Sequence, residues 1–191
     1  MKKLLLTGVT VFTMSFSYAQ EYYHGLGLQY DMGMFNYSYT TSSLDYSCNC
    51  GAGVPGVVYK ASLAFEAGRN SNMAISSYPF LGFYLSSTAG SYLGVELPVL
   101  FEFYTGDLDD NTFFAGAGFS YSFIASDDEG GVIMGPQVGI GGQFPVRDKL
   151  IGIRGAYTLG INKRNDIPAD ATVSKDKKYL IGLGFYYVLG Q

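Results

Sequence analysis

Apolar residues alternate with small or polar ones, at a period of two, along almost the whole chain beyond residue 20. That alternation limits the fold more than any other feature. A period of two is the signature of a strand with two unlike faces, whereas an amphipathic helix repeats every 3.6 residues. Helical spacing is hard to find anywhere in the 191 residues. The chain therefore reads as all-β, and its length fits one domain.

Eight alternating segments can be delimited, each bounded by Gly, Asn, Asp, Ser or Pro clusters. The first, over 22–39, sets Leu26, Leu28, Tyr30, Met32 and Met34 against Gly25, Gly27, Gln29, Asp31 and Gly33. The second, 56–68, opposes Val57, Tyr59, Leu63 and Phe65 to Lys60, Ser62, Ala64 and Glu66. In the third, 73–85, Tyr78, Gly82 and Tyr84 share the second row. The fourth, 93–104, is the cleanest, with Leu93, Val95, Leu97, Val99, Phe101 and Phe103 against Gly94, Glu96, Pro98, Glu102 and Tyr104. Segments over 113–123, 132–144, 151–161 and 179–189 continue the pattern, with Arg154 on the second row of the seventh. An even number of antiparallel strands can close a sheet and leave no edge.

Composition decides which row faces inward. Glycine supplies 26 residues and charged residues only 15%, and the second row is mostly Gly, Ser, Gln and Tyr with a handful of charges. A soluble lipocalin-like carrier would put its apolar row inside and a charged, Thr-rich row outside, where strand glycine packs nothing. An eight-stranded membrane barrel reverses this. Its lumen is only wide enough for its own side chains, so glycines there make room for a few large polar groups, and the apolar rows face lipid. The expectation is an eight-stranded antiparallel up-and-down transmembrane β-barrel.

The first twenty residues stand apart from the alternation. Lys2 and Lys3 precede an apolar stretch from Leu4 to Phe16, and Ser17-Tyr18-Ala19 offers small residues for cleavage, the layout of a secretory signal peptide. Residues 1–19 are expected to be removed, leaving 20–191 as a single barrel domain. Without Lys2 and Lys3 there remain ten basic against 16 acidic residues, a formal charge of −6. With no basic cluster in the body of the chain, nucleic acid is not an expected partner. Connectors at 69–72, 105–112 and 145–149 read as short turns, and those at 40–55 and 162–177 as long loops. In outer-membrane barrels the short turns lie in the periplasm, which places both termini there.

The chain resembles the small outer-membrane β-barrel proteins of Gram-negative bacteria, of the OmpX and OmpA-barrel type. The residues that carry the resemblance are the leader, the Gly-rich alternation Phe114-Ala115-Gly116-Ala117-Gly118-Phe119-Ser120-Tyr121, and the last strand Gly182-Leu183-Gly184-Phe185-Tyr186-Tyr187. In that strand Gly182, Phe185 and Tyr187 match the spacing of the signal read by the barrel-insertion machinery, although Leu180 stands where a polar residue is usual. The resemblance implies a multi-pass location in the outer membrane, with lipid and lipopolysaccharide as neighbours. It specifies a fold and an address, not an activity.

Six inward charges are the candidate site residues: Asp31, Lys60, Glu66, Glu96, Glu102 and Arg154. Ions in a narrow lumen must be compensated. Reading heights from strand direction, Arg154 is expected to meet Glu66 or Glu102, and Lys60 to meet Asp31 or Glu96. A structural network is favoured over acid–base catalysis, and the excess of carboxylates leaves room for a protonated Glu, an ordered water or a weak cation site. Cys48 and Cys50, in the loop over 40–55, are read as a local disulfide or inert thiols, with an intermolecular bridge or a soft metal as alternatives. His24, the one histidine, starts the first strand, away from the outer rim where a lipid-modifying enzyme would need it. The loop bases Lys163, Arg164, Lys175 and Lys177, followed by Lys178 at the strand entrance, are interleaved with Asp166, Asp170 and Asp176 and read as a solvated mixed-charge loop, with lipopolysaccharide phosphate contact as the second reading. Asp107, Asp109, Asp110, Asp127, Asp128 and Glu129 read as soluble connectors.

No catalytic residue, cofactor or metal is expected. The functional expectation is a non-enzymatic barrel with a plugged polar lumen and a structural, surface-interaction or accessory-subunit role beside an envelope protein. The competing class is a transporter or binding barrel for a small apolar molecule, with a cavity lined by Tyr78, Tyr84 and Tyr104.

Overall fold

The structure is a computed structural model that describes residues 21–68, 71–86, 90–106, 108, 110–126, 131–147, 149–162 and 171–190, with the side chains of 48–52, 68, 84–86, 90–92, 124–126, 131, 175 and 190 outside the description. The leader expectation falls on residues outside the described part. Nine strands follow in order: β1 (Glu21–Thr40), β2 (Asp45–Gly68), β3 (Ser71–Ser77), β4 (Phe80–Ser86), β5 (Gly90–Thr105), β6 (Thr112–Ser126), β7 (Gly131–Val146), β8 (Lys149–Gly160) and β9 (Thr172–Gly190). All neighbouring pairs are antiparallel, and β1 pairs with both β2 and β9, which closes the sheet into a ring.

β3 and β4 share one position in that ring, so eight strands surround the lumen. Both pair with β2 on one side and β5 on the other. The interruption falls at Tyr78-Pro79. Proline has no N–H to give to a ladder, but its carbonyl stays in use, accepting from the Tyr59 amide at 2.9 Å. The row parity survives the break: Tyr78 and Phe80 are buried inside, and Leu81 and Phe83 are exposed outside.

In every strand the apolar row faces out and the Gly, Ser, Gln and charged row faces in. Leu28 is 69% exposed, Ile140 67% and Phe113 62%, whereas Asp31, Lys60, Glu96, Glu102, Gln137 and Arg154 are all at most 3% exposed. A continuous apolar band of this extent is untenable in water. The barrel is inside-out relative to a soluble one, and its outer face matches a bilayer. Glycines on the inner row stand where large side chains of neighbouring strands need the space. A Cβ on Gly116 would meet Glu102 Cγ at 2.6 Å and the Phe101 carbonyl at 2.8 Å, and one on Gly139 would come within 3.6 Å of the Arg154 guanidinium.

One end of the barrel carries short turns and both the start of β1 and the end of β9. The turn after β5 begins at Gly106, which takes φ of 97°, the left-handed region that glycine enters without cost. That turn folds Leu108 under the barrel, where it joins Tyr23, Ala64, Ala74, Tyr104 and Phe114 in an apolar floor.

At the opposite end the expected long loop over 40–55 is instead strand. β1 runs to Thr40 and β2 starts at Asp45, in unbroken register from Glu21↔Ala64 to Thr40↔Asp45. The hairpin turn is built by Thr41, whose hydroxyl accepts from the amides of Ser43 at 3.4 Å and Leu44 at 3.1 Å. Tyr46 stacks between Tyr37 and Tyr39, with ring centroids 5.7 and 5.4 Å away. β9 likewise starts at Thr172, within the expected loop over 162–177, and follows β1 to Thr40↔Thr172. Among the described residues β8 leaves β9 at Gly160↔Lys178, and β4 leaves β2 at Gly56↔Gly82. Beyond those points β2, β1 and β9 project as a three-stranded sheet. Outside a bilayer neither face need be apolar, so the alternation that marks a membrane strand is missing from this part.

The inward and outward rows predict opposite tolerance to size. Gly116→Leu should block folding or cost about 1–3 kcal/mol through overpacking, while Ala117→Leu, one residue away on the exposed row, should leave the folded fraction unchanged. Comparing the mobility of unboiled and boiled samples on SDS gels checks this.

Candidate functional site in the lumen

The lumen holds two linked polar clusters, one toward the short-turn end and one toward the projecting sheet. Each is supplied by inward positions of several strands, because a closed ring of this size brings all its inner rows within side-chain reach.

Lys60 is the centre of the first cluster. Its amine donates to Gln143 Oε1 at 2.6 Å and lies 3.4 Å from the Tyr186 hydroxyl. Four rings surround it, with centroids at 4.9 Å for Tyr186, 5.3 Å for Tyr104, 5.6 Å for Phe114 and 6.0 Å for Tyr78. Ring faces carry partial negative charge and attract a desolvated cation. An aromatic cage thus does for Lys60 what a carboxylate was expected to do. Glu102 acts on Lys60 through space, but its own hydrogen bonds come from the tyrosines: Tyr78 donates at 2.9 and 3.1 Å and Tyr104 at 2.6 Å. The tyrosines expected to line a ligand cavity are therefore occupied. Tyr78 and Tyr104, each 1% exposed, fill the lumen with their rings and solvate Glu102 with their hydroxyls, and the Tyr84 side chain lies outside the described residues.

The second cluster is organised by Gln137. Its amide donates to Glu96 Oε1 and to the Thr158 hydroxyl, both at 2.8 Å, and its carbonyl accepts from Arg154 Nη2 at 2.9 Å. Glu96 Oε1 also accepts from Ser120 at 2.5 Å. Asp31, from the far side of the ring, accepts from Gln29 Nε2 at 2.8 Å. Arg154 completes its surroundings by lying over the Tyr78 ring, with Cζ 4.1 Å from the centroid. That contact ties the two clusters together.

Five of the six candidate charges are thus inside and buried, in an arrangement that differs from the expected pairs. Arg154 meets neither Glu66 nor Glu102 and reaches Glu96 only through Gln137; Lys60 meets neither Asp31 nor Glu96. The cause is the length of β2. A strand that starts at Asp45 and not at 56 places Lys60 in the half nearer the short turns, beside Glu102. Glu66, two residues from the end of β2, is exposed at the barrel mouth.

Other candidates also move. Lys178, expected at the strand entrance beside the outer loop, is in β9, inward and 5% exposed, donating to the Asn162 carbonyl at 3.3 Å and standing 4.0 Å from Asp176. Cys48 and Cys50 are in strand, opposite Tyr37 and Phe35, with side chains outside the described residues. Asp107, Asp109, Asp127, Asp128, Glu129, Lys163, Arg164, Asp166 and Asp170 also fall outside them. Leu180 is inward and buried, Gly182 lines the lumen beside Asp31, and Phe185 faces out. His24 is on the outward row, stacked on Tyr22 at 5.8 Å and 6.2 Å from the Tyr59 ring. The cage around Lys60 was open to sequence reasoning in one respect: Tyr78, Tyr104 and Tyr186 are large aromatic residues on a row that is mostly small or polar.

No protein-family model matches the chain, and no curated protein sequence matches it. Among solved structures it is similar to Neisserial surface protein A at 12% identity, covering 85% of this chain and 96% of that one with a TM-score of 0.45. It is also similar to Ail, the attachment invasion locus protein of Yersinia pestis, at 12% identity, 86% and 98% coverage and a TM-score of 0.42. The outer membrane protein OprG from Pseudomonas aeruginosa matches at 11% identity, 86% and 97% coverage and a TM-score of 0.45.

Removing the hydroxyl of Tyr104 leaves a buried carboxylate with one donor fewer. Tyr104→Phe should lower stability by about 1–3 kcal/mol, whereas Tyr157→Phe, on the exposed row, should stay within about 0.5 kcal/mol of the parent. Urea unfolding of the barrel in lipid vesicles measures both, and equal effects would remove the case for a hydroxyl-solvated Glu102.

Proposed function

We propose that the chain is a non-enzymatic, integral protein of a Gram-negative outer membrane, with a closed lumen and its termini in the periplasm. It works through the sheet that β1, β2 and β9 raise above the bilayer on the outer side, in surface interaction or as an accessory subunit beside another envelope protein. The observation that carries this reading is the filling of the lumen: Lys60, Tyr78, Glu96, Glu102, Gln137, Gln143 and Arg154 enter it from five ring positions and are each at most 3% exposed. Side chains so enclosed leave no water-filled path of the kind a porin needs.

The sidedness is supported by the short turns gathered at the end where β1 starts and β9 stops. Lipid and lipopolysaccharide are its surroundings, and the barrel-insertion machinery meets it through Gly182, Phe185 and Tyr187. Catalysis has little to work with in the described lumen. The only histidine faces lipid at the short-turn end, and the carboxylates are engaged by hydroxyls and amides. What varies functionally in such a protein is then its exposed extramembrane part.

Planar-bilayer recording tests the closed lumen. The parent barrel should show no conductance steps, while the double variant Lys60→Ala/Arg154→Ala, which empties the cage and the stacked position, should show them. Steps of equal size from parent and variant would overturn the reading. Recovery of the folded parent in the aqueous fraction without detergent would overturn the membrane assignment itself.

A further inference from the structure

Lys175, Asp176, Lys177 and Lys178 mix both signs in sequence, but the strand sorts them by face. They pair without a break with Ser38, Tyr37, Asn36 and Phe35 of β1, and successive residues of a strand take opposite sides of the sheet. Asp176 and Lys178 fall on the row of Leu180, which continues the lumen, and their charged groups are 4.0 Å apart. Lys175 and Lys177 fall on the other row, which runs on through Tyr179, Ile181 and Leu183 along the lipid-facing side.

The neighbours of the two lysines on that face are neutral. Lys177 is exposed and stands opposite Asn36, which pairs in turn with Asn49. Lys175, placed by register, stands opposite Ser38, which pairs with Ser47. Among the described residues the first acid on this face is Asp45, two residues beyond Ser47 toward the hairpin. The face is therefore positive, although the segment as a whole is mixed.

The level of the lysines is fixed by what lies beneath them. In the outward row just below, Met34 pairs with Tyr179 and Tyr179 with Leu159, and Tyr179 stacks on Tyr157 at 6.0 Å. Tyrosines gather where a hydrocarbon core meets water. A tilted barrel strand climbs about 5 Å in two residues, and the headgroup layer is about 5–8 Å deep. Lys177 thus stands at headgroup level and Lys175 at its outer limit. Because their face continues the lipid-facing row, the group opposite them belongs to a lipid whose chains lie along Met34 and Ile181.

We propose that Lys175 and Lys177 hold a phosphate on the headgroup of an outer-leaflet lipid, lipopolysaccharide in particular, against the outer face of β9 and β1. An ammonium group serves phosphate as a point charge, and the Asn36 amide supplies further donors beside it. The proposal rests on the outer-membrane reading given above and assigns that reading one lipid contact.

The mature barrel, refolded in detergent at low ionic strength, is titrated with lipid A carrying its phosphates and with the same lipid A after their removal, bound lipid being counted by mass spectrometry of the intact complex. The parent should bind the phosphorylated form about 25-fold more tightly, about fivefold for each lysine at an anionic headgroup. Lys175→Gln and Lys177→Gln should each cut that preference about fivefold, and the double variant should abolish it. Asp176→Asn, on the opposite face, and Lys149→Gln, at the short-turn end, should each change it by less than about twofold. Excess inorganic phosphate at fixed ionic strength should not displace the lipid. No preference in the parent, a preference that survives in the double variant, a marked gain in Asp176→Asn, or a loss in Lys149→Gln would each overturn the site and leave the membrane reading standing. Displacement by inorganic phosphate would overturn the lipid as the source of the phosphate. Recovery of the folded parent in the aqueous fraction without detergent would overturn the membrane reading and the site with it.

Discussion

A bilayer core offers no water to backbone amides and carbonyls, so a spanning sheet must pair every one of them with another strand. Everything else in this molecule is arranged around that requirement. The ring is closed by β1 pairing with β9 over His24↔Gly190 to Thr40↔Thr172. Where Tyr78-Pro79 interrupts the third position, the Pro79 carbonyl is taken up by the Tyr59 amide. Closing the ring with eight strands then fixes a narrow interior, and that sets the chemistry within it.

Inside so narrow a lumen an ion pair is not the only means of keeping a charge. Ions held apart by the geometry of their strands can each be solvated by neutral groups: rings and an amide for Lys60, two tyrosine hydroxyls for Glu102, a ring and an amide for Arg154. Aromatic side chains serve twice here. Their rings fill volume that would otherwise be void, and their hydroxyls or faces meet the charges. Gly116 and Gly139 make this packing feasible, since a Cβ at Gly116 would collide with Glu102 and one at Gly139 would crowd Leu100 beside the Arg154 guanidinium.

The alternation made the ring, its inside-out character and the inward identity of Asp31, Lys60, Glu96, Glu102 and Arg154 legible before any coordinates. It could not supply their partners. Which charges meet depends on strand register and length, and β2 gives no sign in its row pattern that it begins at Asp45, because residues 45–55 lie where neither face needs to be apolar. An error of 11 residues at that end moves Lys60 from the level of Asp31 to that of Glu102. The inward side of Lys178 was hidden for the same reason, since the residues before it in β9 are polar on both rows. The exposure of Glu66 shows the opposite limit: parity assigns a side of the sheet, but at a barrel mouth the inner side is open to water.

The projecting sheet obeys the bilayer's rule in reverse. Once clear of lipid, the edges of β2 and of β9 that pair with no described residue can be satisfied by water, so β1, β2 and β9 continue past the points where β4 and β8 leave them. Exposed edges invite pairing with other chains. Here they are written in residues that discourage it: Asp45, Ser47 and Asn49 along one, Ser174, Asp176 and Lys177 along the other. Within the sheet, order comes from side chains on and near the turn, through the Thr41 hydroxyl at the hairpin, the Tyr37–Tyr46–Tyr39 stack and the Ser38–Ser174 contact at 2.6 Å. Pairing alone holds such a sheet weakly, since two or three strands without a buried face are marginal in water. Its stability therefore derives from continuity with the barrel, where the same strands are locked by lipid and by the packed lumen.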